Sequence, residues 1–308
     1  MEAFASGTVD TEVKRVLKSN MKVIKPPYEL LDRGSNDWRF QESPEMEAAT
    51  VGFDAIQEQR RTPGRYEATL RKFLLEYPNH IDGLHHYSIC LSSTGNHLES
   101  LAFSQTAVAT GIRALPAQFI IGKDRLPTGF VENRPFLRAL HGLMLAQRNV
   151  GLIEEAIATG QMCLALDQQD RMGAREEVVL YLLEANDDET ALSLFQDPKY
   201  AGTFFSNEYL HALVLIRLGR EKDAREVLKQ RLNYSPQVAR FILNRDAPEP
   251  DNDDRWGFVI SGSEYEGWMI AGRLAPLWRS NRKAMQILRQ ESKPYEQNGW
   301  KRAPDKHA

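Results

Sequence analysis

"DGLHHYSICLSSTGNHLES", Asp82 to Ser100, places His85, His86, Cys90 and His97 within thirteen residues. The stretch reads either as a metal or thiol site or as one copy of a repeat, and copies elsewhere in the chain decide between the two. Leu84, Tyr87, Ser88 and Leu91 recur three or four residues apart, the spacing of one helical face. Gly95 follows as a turn, and Ser100 and Ala107 place small residues in a second helix.

Four other segments repeat that frame. Phe53 and Ile56 precede Gly64, and Tyr66, Leu70 and Phe73 follow it. Leu140, Leu143 and Met144 lead to Gly151, then to Ala156 and Cys163. Val178, Val179 and Leu182 lead to Asn186, Ala191 and Phe195. His211, Ala212 and Leu215 lead to Gly219, Ala224, Leu228 and Pro236. The turn residues, at 64, 95, 151, 186 and 219, are spaced by 31, 56, 35 and 33. Three spacings lie near the period of about 34 residues of a tetratricopeptide repeat, and the fourth implies an insertion of about 22. A helix pair cannot bury its apolar face alone, so pairs stack, and small residues let their helices approach.

The sequence therefore predicts an all-α, tetratricopeptide-like helical-repeat superhelix, an α-solenoid with capping helices at both ends. Residues 1–48 are expected to hold an amphipathic helix (Val13, Val16, Leu17, Met21, Ile24) and an irregular segment. About five helix pairs should occupy 49–236, with the insertion near 112–134. Residues 237–290 read as an acidic, proline-bearing loop and a last helix pair, opened by a capping box of Ser263 and Glu266 and broken near Pro276. Residues 291–308 read as a basic, flexible tail.

From "NRPFLRA" at 133–139 onward the motifs resemble a known group. Glu155-Ala156, "LDQQDRMGAR" at 166–175, Leu182-Leu183-Glu184, Glu189 to Ala191, Ser235-Pro236-Gln237-Val238 and Gly262-Ser263-Glu264 continue the series. Over about residues 115–290 the pattern resembles the suppression-of-tumorigenicity family and its bacterial relatives. That resemblance implies a helical-repeat fold and a scaffolding role, with no catalytic residues.

Against the repeat, the His/Cys cluster loses its case as a site. His85 and His86 project about 100° apart on a helix. His86 and Cys90 share a face, but two ligands fall short of the four that structural zinc takes. An i,i+4 Cys–His pair also lacks an oxyanion hole. "FIIGKD" has Gly122-Lys123 without the earlier glycine of a phosphate loop, and "DNDDRW" at 251–256 lacks the spacing of a calcium loop. No cofactor, no metal and no enzymatic activity are expected.

Composition narrows the partners. The net charge of −3 offers no field for duplex nucleic acid. From Arg279 onward, however, eight Lys or Arg face three Asp or Glu, which keeps a nucleic-acid-associated tail as the alternative. No apolar run is long enough to span a membrane, and the two cysteines form no disulfide framework, so a cytoplasmic location is expected. The expected partner is a protein or peptide in the concave groove; nucleic acid and a small-molecule substrate are not expected, and self-association stays open.

Groove residues recur near the second, fifth, ninth and twelfth positions of the first helix of each pair. This nominates Arg138, His141, Leu145 and Arg148 as a basic patch, and His85 beside it. Tyr209, Leu213 and Ile216 form an apolar patch toward the C-terminal end. The alternative for Arg138, and for Arg134 beside it, is pairing across repeats with Glu154, Glu155 or Glu176.

Overall fold

The computed structural model describes residues 26–58, 62–198, 207–252 and 259–301. The amphipathic segment expected at Val13 to Ile24 lies outside them. Five antiparallel helix pairs follow one another: α1 (Pro44–Gln57) with α2 (Pro63–Glu76), α3 (Ile81–Ser93) with α4 (His97–Ile112), α5 (Arg134–Asn149) with α6 (Ile153–Leu166), α7 (Ala174–Glu184) with α8 (Asp188–Gln196), and α9 (Asn207–Arg217) with α10 (Glu221–Tyr234). Three more helices, α11 (Pro236–Leu243), α12 (Glu264–Ser280) and α13 (Arg282–Gln297), pack on the last pair.

Four pairs reverse direction in the same way. Gly95, Asn186, Gly151 and Gly219 all take left-handed backbone angles, with φ of 84°, 62°, 85° and 77°. At Gly219 the amide donates to the Ile216 carbonyl and the Arg220 amide to the Leu215 carbonyl, closing carbonyls that the helix leaves open. The same two bonds recur at the other three turns. Gly64 does not belong to this set. It sits in the first turn of α2, and its φ is not left-handed, because Thr62-Pro63 has already started that helix.

Small residues set how closely the pairs stack. Ala107, Ala156, Ala191 and Ala224 are fully buried, as the repeat frame requires. A Cβ built on Gly160 would lie 2.3 Å from Val178 Cγ2, and one on Gly111 would lie 2.1 Å from the Phe136 ring. Any side chain there would push α7 off α6 or α5 off α4.

Residues 27–48 are not irregular. Strands β1 (Tyr28–Asp32) and β2 (Trp38–Glu42) form an antiparallel hairpin, with Leu30 opposite Phe40. The insertion at 113–133 packs against this hairpin, where Phe119 meets Trp38 edge-on and the Trp38 amide donates to the Arg125 carbonyl at 2.9 Å. Asn133, fully buried, holds the two together. Its Nδ2 donates to the carbonyls of Trp38 and Pro127, and its Oδ1 accepts the Phe40 amide at 2.9 Å. The asparagine of "NRPFLRA" is thus a clip between hairpin and α5.

The C-terminal end also differs from expectation. Helix α12 runs through Pro276 and stops at Asn281, whose side chain caps α13. Proline has no amide to give the Gly272 carbonyl, but burial of Ala271, Leu274, Ala275 and Trp278 on the opposite face holds the helix in place. Helix α13 then carries the chain as far as Gln297, through Pro294, so that residues 291–297 of the expected tail are helical.

Gly151 has open space around it, so only its backbone angle resists a side chain. Gly151→Ala should therefore cost about 1 kcal/mol of stability, read as a lower urea midpoint at unchanged slope.

Candidate functional site: a cleft between the repeats and the C-terminal cap

Helix α12 lies across the concave side of the later repeats. Between it and α5 and α7 is an open cleft of about 740 Å³, whose walls include Leu145, Arg148, Tyr181, Arg217, Arg273 and Leu277. Arg148 donates to Glu184 at 2.9 Å, and both partners face solvent in part. From the opposite wall Arg273 reaches Glu176 at 3.2 Å and Glu177 at 2.5 Å. The side chains of Arg148 and Arg273 are 46% and 45% exposed, and those of Glu176, Glu177 and Glu184 are more deeply placed. The cleft thus presents guanidinium edges over an acidic underlayer, beside apolar Leu145, Leu180 and Leu277. Tyr181 donates to Glu177 at 3.1 Å, and burial first, then that carboxylate, push its phenol far above the ordinary range.

Arg217 is a different kind of residue. It is tied to Asp188 at 2.9 Å, to the Leu183 carbonyl and to Asn186 Oδ1, so its fork closes the end of α7. This bond explains why the one non-glycine among the four turns is an asparagine.

The nominated groove residues separate into three fates. Leu145 and Arg148 line the cleft, and His141 is half-buried; burial first, then the charge of Arg273, lower its pKa. Arg138 and His85 are committed elsewhere. Arg138 forks onto the buried Asp82, with Nε at 3.1 Å and Nη2 at 2.6 Å, rather than onto Glu154, Glu155 or Glu176. Burial alone would raise the Asp82 carboxyl, but the fork outweighs it and holds the group below the usual carboxylate range. His85 is wedged against Gly142, where an added Cβ would stand 2.6 Å from its Nδ1.

Tyr209, Leu213 and Ile216 are not a surface patch at all: they are 0%, 0% and 5% exposed. Tyr209 donates to the Ser235 carbonyl at 2.8 Å and meets the edge of Trp278, while α13 packs along α9. The cap occupies the groove where an apolar ligand was expected. The wall supplied by α12, and the Glu176–Glu177–Arg273 cluster, went unforeseen. The apolar stripe Ala271, Leu274, Ala275 and Trp278 was their signal, since a helix with such a face must be covered.

The opening His/Cys cluster is dispersed by its bonds. His86 Nδ1 lies 3.0 Å from the Tyr66 hydroxyl, and its Nε2 faces Asp82 at 3.9 Å. Burial raises the Cys90 and Cys163 thiols, which holds both away from the thiolate form. Among the described residues no group of three or more His, Cys, Asp or Glu could hold a metal, and no helix is long and apolar enough to cross a membrane.

Stacked antiparallel helix pairs with left-handed turns define a tetratricopeptide-like helical-repeat protein. A family model described as Transcriptional repressor TCF25 matches residues 38–255. The match spans more than half of the chain, and the chain belongs to the Tcf25 family. This, rather than the suppression-of-tumorigenicity family, is the family that matches. No curated protein matches. Similar solved structures include the MamA protein, at TM-score 0.47 and 15% identity, covering 66% of this chain and 99% of that one. Another is a Podosopora anserina putative kinesin light chain with nearly identical TPR-like repeats, at 0.43 and 16%, covering 72% and 97%. A third is Naa15/Naa10 bound to HypK-THB, at 0.42 and 13%, covering 82% and 34%.

Two variants separate structural from solvent-facing charge. Arg138→Ala strips the partner from a carboxylate that is only 7% exposed, and should cost about 2–3 kcal/mol, less than a fully buried pair because Arg138 itself is 35% exposed. Arg148→Ala should cost about 0.5 kcal/mol or less. Chemical denaturation of the two variants side by side measures both.

A second pair of measurements concerns pH. His80 is buried, its Nδ1 caps the Gly83 amide and its Nε2 meets Thr50; burial pushes it down to about 4, and His85 to about 3. Because both fall below 6.5, the unfolded chain takes up protons first, so stability is lost as pH falls from about 6.5 toward 4. His80→Asn keeps an acceptor for Gly83 but has nothing to titrate. Its deficit in melting temperature against wild type should narrow between pH 7 and pH 5 in scanning calorimetry.

Proposed function

We propose that this chain is a non-catalytic, cytoplasmic adaptor whose cleft between α5, α7 and α12 takes a short segment of a partner protein. The cleft carries the reading. Its volume of about 740 Å³ suits a few side chains, and apolar walls beside a few oriented polar groups are what a recognition site needs. The outermost charges are those of Arg148 and Arg273, so the segment that fits places a carboxylate between apolar side chains. The family description, transcriptional repressor, suggests partners among proteins that act in transcription. The two free thiols suit a reducing compartment.

The test is site-specific photo-crosslinking. A photoreactive amino acid placed at Leu145 and, separately, at Leu277 should label the same protein in native extract from opposite walls of the cleft. Arg148→Glu combined with Arg273→Gln should abolish both products while helicity is retained. Labelling of unrelated proteins from the two positions, or products that persist in the double variant, would show that the cleft is not the recognition site.

A further inference from the structure

We propose that the outer face of α13, together with Trp300, binds single-stranded nucleic acid along its phosphate backbone. On this helix Arg282, Arg289 and Lys293 are exposed, and steps of seven and four residues keep them within about 40° of one another on one side. They span about 16 Å along the axis, with Arg289 and Lys293 about 6 Å apart. That is the reach of a chain of phosphates rather than of one acidic side chain. None of the three forms an ion pair among the described residues.

Of the two acids of α13, Glu291 is engaged with the neighbouring helix, as is the fourth cation, Lys283, while Glu296 is exposed at the end of the stripe beside Lys293. Glu291 receives Arg225 and lies 4.0 Å from Lys229, Gln290 accepts from Arg225, and Lys283 pairs with Glu221 at 2.8 Å. Arg282, Arg289 and Lys293 against Glu296 leave the outer side with a surplus of two positive charges in a chain whose net charge is −3. Like charges four residues apart repel each other, and Glu296, three residues beyond Lys293, offsets that repulsion only in part.

The stripe borders a cleft of about 470 Å³ lined by Arg240, Leu243, Arg289, Lys293, Glu296 and Trp300. Trp300 is held at its end by two bonds, its amide to the Tyr295 carbonyl at 2.7 Å and its carbonyl from Gln237 at 3.1 Å. A cationic track ending at a half-buried tryptophan whose backbone is tethered and whose ring packs in part on the core is an arrangement that grips single strands, through phosphate contacts and base stacking. A duplex would need a broader positive surface. This site is separate from the cleft between α5, α7 and α12, and neither depends on the other.

The test uses the full chain and a fluorescently labelled oligo-uridine, read by anisotropy over a salt series. Three phosphate contacts predict a slope of about −2 for log K against log salt. Arg289→Glu with Lys293→Glu should weaken binding at least tenfold, and Trp300→Ala should weaken it at unchanged slope. Arg71→Glu with Lys72→Glu on exposed α2 imposes the same change of net charge and should leave binding intact. Failure to bind, equal losses in both double variants, or equal competition by poly-glutamate would overturn the proposal; the last outcome would assign the stripe to acidic protein segments.

Discussion

Four of the five helix pairs turn back on themselves through one left-handed residue, and the concave surface follows from that geometry. A residue at positive φ lets the chain reverse while its own amide and the next close the last carbonyls of the first helix. Because Gly95, Gly151, Asn186 and Gly219 do this in the same way, α3, α5, α7 and α9 all come to lie on one side. Side chains far apart in sequence, such as Arg148, Tyr181 and Arg217, then face a common space. A turn built differently would rotate the following pair and scatter them.

Within that space stability and register come from different interactions. The apolar interior, from Phe53 through Leu140 and Val178 to Leu288, supplies the driving force for folding. Arginine forks fix which neighbour each helix meets: Arg138 with Asp82 joins α5 to α3, Arg148 with Glu184 joins α5 to α7, Arg217 with Asp188 joins α9 to α8, and Arg273 with Glu176 and Glu177 joins the cap to α7. A planar fork accepts only a narrow range of approach, so these contacts specify geometry even where exposure makes them weak.

How much of this can be read in the amino acids depends on the range of the interaction that sets it. The five pairs are legible because Gly151, Ala156 and their counterparts are local requirements of turning and close packing, repeated at one period. Gly64 misleads because Pro63, a stronger helix starter, sits beside it. The hairpin escapes notice because its short strands are completed by Arg125 and Asn133, about ninety residues away. Tyr209, Leu213 and Ile216 follow the periodicity of a groove face, yet all three are buried, Tyr209 against Trp278 of α12. Pro276 reads as a break, yet burial of Trp278 and Leu274 outweighs one missing helical bond. The cleft is least legible of all, since one of its walls belongs to a helix whose position no local pattern encodes.

Asn133 has a consequence for how the molecule assembles. Solenoids built from nearest-neighbour contacts can begin to form anywhere and grow outward. Here one side chain bridges residues 93 and 95 positions apart, joining the Phe40 amide and the Trp38 carbonyl to the start of the third pair. Closing so long a loop is an entropic cost that only the completed second and third pairs can offset. The hairpin, the insertion and the first three pairs thus form one cooperative unit that gains or loses structure together. The bonds of Arg273 to Glu176 and Glu177, 97 and 96 positions away, tie the later pairs to the cap in the same manner.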